Sequence, residues 1–213
     1  TDVKAGHIAI NNAADLYLYP NTIYGVKVTG SDIKAWLETA AKRFNQIDPS
    51  KTAEQALISS FAGYNFDMFT SADLQYEIDV TQPIGSRIRN LSYKGSPIST
   101  SQEFIVATNN YRASGGGNFP GLDGSKTILA APDANRDVLI SYIKSIKTVT
   151  RAANGSDRSW RFTKVSTAGP VTFSSAVGKL ALAQAAGLSN VALLRADDGS
   201  GKNLSVYSVD LSK

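Results

Sequence analysis

Cysteine is absent from the 213 residues, which excludes structural disulfides, cysteine nucleophiles and thiolate metal sites. A cysteine-free chain is tolerated inside or outside a cell, so the absence does not report a redox compartment. Histidine occurs once, as His7. A solitary histidine cannot build a multi-histidine metal cluster, and with no paired signature it reads as a surface or partly buried structural residue rather than a member of a Ser-His-Asp triad. No apolar stretch approaches the ~20 residues of a membrane helix, and Thr1 to Ile10 hold no secretory hydrophobic region. With Thr at position 1, the chain is expected to be processed or cut from something longer. A long basic run is also missing. The 22 Lys and Arg set against 18 Asp and Glu are dispersed, whereas a binder of polymeric nucleic acid gathers its cations in a stripe. A net charge of +4 in this pattern suits an ordinary solvated face and a small anionic ligand.

What is present is enough to fold. The chain is 42% hydrophobic and 19% charged, and 17 Gly with 7 Pro show no collagen-like or linker-like bias. Its length allows one substantial core, or one core with a small annex. Ile8 and Ile10, Leu16 to Tyr19 and Ile23 to Val28 read as strand, turn, strand, with Pro20-Asn21 at the turn. Then the period changes. Ile33, Trp36, Leu37, Ala40, Ala41 and Phe44 form one apolar stripe, so Asp32 to Gln46 reads as an amphipathic helix with Thr29 or Ser31 near its cap. Residues 53 to 60 read as a short helix. Leu74 to Val80, Arg87 to Tyr93 and Phe104 to Thr108 read as strands, the last two separated by Lys94-Gly95-Ser96-Pro97 with the spacing of antiparallel pairs. Helix follows at Asn135 to Lys147, loop at 151 to 159, strand at Trp160 to Val165 and helix at Ser174 to Ala186. Strands at Val191 to Leu194 and Leu204 to Val209 flank a turn at Asp197 to Lys202. The fold class is α+β, a mixed or antiparallel sheet packed with helices.

Several chemistries fail on spacing. An EF-hand loop counted from Asp197 would need an acid where Ser208 stands, and a phosphate loop ending at Gly201-Lys202 would need Gly at Ala196 and Ser or Thr at Asn203. Asp32 and Glu38 are six apart on a helix, and Glu77 and Asp79 share a strand face; neither pair makes an acid-base couple. Two aromatic clusters remain. Tyr64-Asn65-Phe66-Asp67 and Asn109-Asn110-Tyr111-Arg112 each set a ring beside amides, and the second runs directly into Ser114-Gly115-Gly116-Gly117-Asn118. Two rings from distant segments can sandwich a nucleobase while amides orient its edge. The competing reading is that both rings pack a core.

These residues carry a resemblance. Ala14 to Thr22, Val26-Lys27-Val28-Thr29-Gly30, Phe44 to Pro49, Tyr64 to Asp67 and Ala107 to Ala113 with its glycine loop resemble the C-terminal domain of bacterial 5'-nucleotidase-type enzymes, most closely the 2',3'-cyclic-nucleotide 2'-phosphodiesterase/3'-nucleotidases. The resemblance spans almost all of residues 1 to 213. It implies a covalently linked N-terminal metallophosphoesterase domain with two divalent metal ions, whose ligand motifs are not in this sequence, and an extracytoplasmic location. It further implies that this chain needs no cofactor of its own, binds nucleosides or nucleotides, and is inactive alone. By the same resemblance Tyr64 and Tyr111 clamp the base. Asn65, Asn109 and Asn110 either bond base edges or stabilise loops, and Gly115, Gly116 and Gly117 let the ribose approach the backbone. In the 5'-nucleotidase/UDP-sugar hydrolase branch an Asp stands where this chain has Gly117, which leans the resemblance toward the cyclic phosphodiesterase branch. Arg43 and Arg112 are the candidate phosphate contacts. Two other readings of the chain stay open, an autonomous carbohydrate or cell-surface binding module and a structural cap for a neighbouring domain.

Overall fold

A computed structural model describes residues 3, 5–59, 73–155 and 158–213. In chain order the elements are α1 (Ile10–Ala14), β1 (Thr22–Thr29), α2 (Gly30–Ala41), β2 (Gln55–Ala56), β3 (Leu74–Ile78), β4 (Ile88–Tyr93), β5 (Ser96–Pro97) and β6 (Glu103–Asn109). They continue as α3 (Asn110–Ala113), β7 (Thr127–Ala134), α4 (Asn135–Ile146), α5 (Arg151–Asn154), β8 (Trp160–Phe162), β9 (Val171–Ala176), α6 (Leu180–Ala185), β10 (Val191–Arg195) and β11 (Leu204–Val209). The chain folds as two compact units, residues 1–36 with 98–157 and residues 37–97 with 158–213.

The first unit is organised by β1. Its alternation buries Val26 and Val28 while Lys27 stays exposed, the period-2 pattern of a sheet with one covered face. β1 is the central strand, antiparallel to β6 through Val26 opposite Val106 and to β7 through Gly25 opposite Leu129. β7 carries Pro132 and small residues, which hides it from a strand pattern. As an edge strand it tolerates a proline that a central strand would not. Thr29 caps α2: the Asp32 amide donates to its hydroxyl at 3.3 Å, and Asp32 Oδ2 accepts from the Thr29 amide at 2.8 Å.

In the second unit, β10-β11-β9-β2 and β5-β4-β3-β8 form two four-stranded sheets. Both are mixed, because β2 pairs β9 and β8 pairs β3 in parallel while the remaining neighbours are antiparallel. Leu37, Ala40, Ala41, Phe44, Ile47, Leu74, Tyr76, Ile78, Val80 and Ile88 are buried. Phe44 meets Phe162 edge to face at 4.9 Å, and Trp160 meets Phe162 at 5.3 Å. Buried Arg87 stops α2: its Nη1 donates to the carbonyls of Ala41 at 2.8 Å and Phe44 at 2.6 Å, while Glu38 accepts from the amides of Arg87 and Ile88.

Several expectations are corrected. Ile8 and Ile10 start no strand; Asn12 Oδ1 accepts from the Ala9 amide at 3.0 Å and starts α1 instead. The stripe helix ends at Ala41 rather than Gln46, and Phe44 bridges to Ile58. Of residues 53 to 60, the described 53 to 59 supply β2 rather than a helix, because Gln55 exchanges two hydrogen bonds with the backbone of Asp48 and pairs with Val171. Ser174 to Ala186 divides into β9 and α6, since pairing with β11 claims the residues up to Ala176. Thr150 caps a helical turn, α5, where only loop is expected. The antiparallel pairing expected of β4 and β6 is present, each with other partners. Lys94 (φ +51) and Gly95 (φ +77) turn β4 tightly onto β5, and β6 joins β1. His7 is exposed, as expected.

Candidate functional site

The backbone at Asn109 is still extended (φ −98, ψ 160), and its Oδ1 accepts from the Arg112 amide at 2.7 Å, capping α3. One helical turn later the chain reverses through Gly115 (φ +101), Gly117 (φ +80) and Asn118 (φ +56), positions in the left-handed region that glycine and asparagine fill without strain. Gly116 obeys a different constraint. A Cβ built there would stand 2.4 to 2.5 Å from three atoms of the Tyr111 ring, so the ring rests on bare backbone. Tyr111 is nevertheless 56% exposed. A ring seated on backbone and open to solvent is a platform on which a planar heterocycle can stack. The missing side chain at Gly116 thus seats Tyr111.

The loop is held from below. The Arg112 guanidinium lies 4.7 Å from the ring centre of buried Phe119 and 5.6 Å from that of Tyr111, and its Nη1 donates to the Gly116 carbonyl. Trp36 Nε1 donates to the Pro120 carbonyl at 2.8 Å, and Lys126 pairs with Asp32 at 2.6 Å. Burial alone would raise the Asp32 carboxyl, but hydrogen bonds from Lys126 and Thr29 outweigh it and hold the group below the usual carboxylate range.

The amides of the corner differ in what they can offer. Asn109 spends both ends on the fold, Oδ1 on the Arg112 amide and Nδ2 on the Tyr17 hydroxyl at 3.0 Å. Asn110 accepts from the Thr22 amide at 3.1 Å, and its Nδ2 has no partner among the described residues. In the other unit, half-buried Arg43 keeps Nη1 buried without a hydrogen-bond partner among the described residues. Tyr64 and Asn65 lie outside the described residues.

Among the described residues no group of three or more His, Cys, Asp or Glu is placed to hold a metal ion. Asp32 is committed to Lys126, and Asp123 to Ser125, whose hydroxyl and amide lower the Asp123 carboxyl. The described side chains do not fit a two-metal centre. Sequence reasoning missed Phe119 and the seating role of Gly116. The available signal was an aromatic two positions after the last glycine, where Arg112 could stack on it.

Residues 1–124 match the family described as "5'-nucleotidase, C-terminal domain". The trifunctional nucleotide phosphoesterase protein YfkN of Bacillus subtilis is 49% identical over an alignment covering 78% of this chain and 12% of its own length. A 2',3'-cyclic-nucleotide 2'-phosphodiesterase/3'-nucleotidase of Salmonella typhimurium is 38% identical over 100% of this chain and 35% of its own. The chain therefore spans between about an eighth and a third of these relatives. Among solved structures, a 5'-nucleotidase precursor of Thermus thermophilus superposes with a TM-score of 0.54 at 19% identity, covering 74% of this chain and 28% of that one, which is a likeness of fold.

Proposed function

The chain belongs to the 5'-nucleotidase C-terminal-domain family, and from that membership we propose that it is the nucleoside-recognising part of a two-domain, metal-dependent 2',3'-cyclic-nucleotide 2'-phosphodiesterase/3'-nucleotidase working outside the cytoplasm. The observation that carries the reading is the exposed Tyr111 ring resting on Gly116. Tyr111 stacks on one face of the base and Tyr64 supplies the second ring. Asn110 Nδ2 donates to an acceptor on the nucleoside. Metal chemistry belongs to a linked metallophosphoesterase domain. This chain's residues bind the nucleoside and orient its phosphate, the kind of positioning that makes attack on phosphorus effectively unimolecular.

The test is equilibrium binding of adenosine to the chain and to two Tyr111 variants. Tyr111→Ala should weaken binding by about 1–3 kcal/mol, the worth of one base-aromatic stack, while Tyr111→Phe keeps most of it. Equal affinity in wild type and Tyr111→Ala would reject the platform.

A further inference from the structure

Three asparagine side chains from three places in the first unit converge on one phenol. The amide nitrogens of Asn21, Asn109 and Asn135 lie 2.9, 3.0 and 3.1 Å from the Tyr17 hydroxyl oxygen. Asn21 precedes β1, Asn109 ends β6 at the corner that presents Tyr111, and Asn135 opens α4. A phenol has one proton to donate as well as lone pairs to offer. The trio balances when one amide turns its carbonyl toward that proton. The segment around Tyr17 is tied down in turn: Arg136 Nε donates to the Tyr17 carbonyl at 3.0 Å and Nη2 to the Leu18 carbonyl at 3.0 Å, while the Asn135 amide donates to the Asn21 carbonyl at 2.9 Å. Leu18 and Tyr19 beside it are exposed, so apolar packing of those neighbours does not fix the segment.

We propose that the Tyr17 hydroxyl is a positioning group for nucleoside binding: it locks the Asn109 amide in the orientation that caps α3, and through that cap sets the Tyr111 platform. The chain of contacts is short. Tyr17 holds Asn109 Nδ2, which fixes Oδ1 on the Arg112 amide. Arg112 then holds the Gly116 carbonyl, and Gly116 carries the ring. Tyr17 touches no ligand in this scheme. It rests on the reading of Tyr111 as the ring that meets the nucleoside.

Tyr17→Phe removes the hydroxyl and keeps the ring. At a temperature where both proteins are folded, adenosine affinity should fall by about fivefold, the size of one lost hydrogen bond. Hydrogen exchange at the Arg112 amide in the ligand-free protein should quicken by about tenfold while the Val26 amide is unmoved, the mark of a local rather than global opening. A merely structural Tyr17 would lower the melting temperature and leave both readouts at their wild-type values, and that result overturns the proposal. Should Tyr17→Phe not fold, Asn109→Ser keeps an oxygen for the Arg112 amide but loses the donor to Tyr17; it should lose affinity likewise, and wild-type affinity would count against the scheme. If instead Tyr111→Ala leaves adenosine binding unchanged, the premise about Tyr111 falls, and exchange at Arg112 alone decides whether Tyr17 holds the corner.

Discussion

Single side chains decide the chemistry of the corner, and Gly116 is the sharpest case. Its φ is ordinary, so alanine meets no backbone objection, only the Tyr111 ring at 2.4 Å. Gly116→Ala is therefore expected to cost about 1–3 kcal/mol as an overpacking change and to weaken adenosine binding toward the level of Tyr111→Ala. Melting and binding measured on one preparation check both halves. A second residue-scale prediction concerns acid. Hydrogen bonds from Arg195 and then Thr172 hold the Glu54 carboxyl down to about 2 in the folded chain. A depressed folded value stabilises above the unfolded one, so this contribution is complete above the ordinary carboxylate value near 4.5 and is lost as pH falls toward 2. Glu54→Gln should lower the melting temperature at neutral pH and narrow its gap to wild type across that window. A gap that stays constant to pH 2 would contradict the assignment.

At the scale of elements, α2 shows what a period can and cannot reveal. Its stripe was legible because Ile33, Trp36, Leu37, Ala40 and Ala41 recur on one face, and all five are buried, as is Phe44 beyond the helix end. Leu37→Ala should cost about 2–5 kcal/mol by chemical denaturation, the range for a buried leucine. The helix end was not legible, because it is set by buried Arg87 reaching the carbonyls of Ala41 and Phe44 from more than forty positions away. Arg87→Met should destabilise by about 3–5 kcal/mol, since it strands those carbonyls and removes a buried charge that faces Glu38. β9 and β2 were misread for a similar reason: their partners, β11 and β9, are distant, and local propensity says nothing of pairing. At the candidate site the Asn-Asn-Tyr-Arg and triple-glycine spacing marked a turn, while the inward duties of Asn109 and Arg112 depend on Tyr17 and Phe119 being brought beneath it.

For the whole chain, the family is that of the 5'-nucleotidase C-terminal domain, and among the described residues no group of three or more His, Cys, Asp or Glu is placed to hold a metal ion. Residues 1 to 213 supplied with manganese and either 2',3'-cyclic AMP or 3'-AMP should release no phosphate above contaminant controls. Turnover that follows the purified chain would contradict that division of labour. The most direct test of the central claim is a residue-resolved nuclear magnetic resonance titration of the isotope-labelled chain with adenosine. Saturable shifts at Asn110, Tyr111, Gly116 and their neighbours, with β10 and β11 unmoved, are the predicted result; unchanged signals at Tyr111 and Gly116 through millimolar adenosine and guanosine would contradict it.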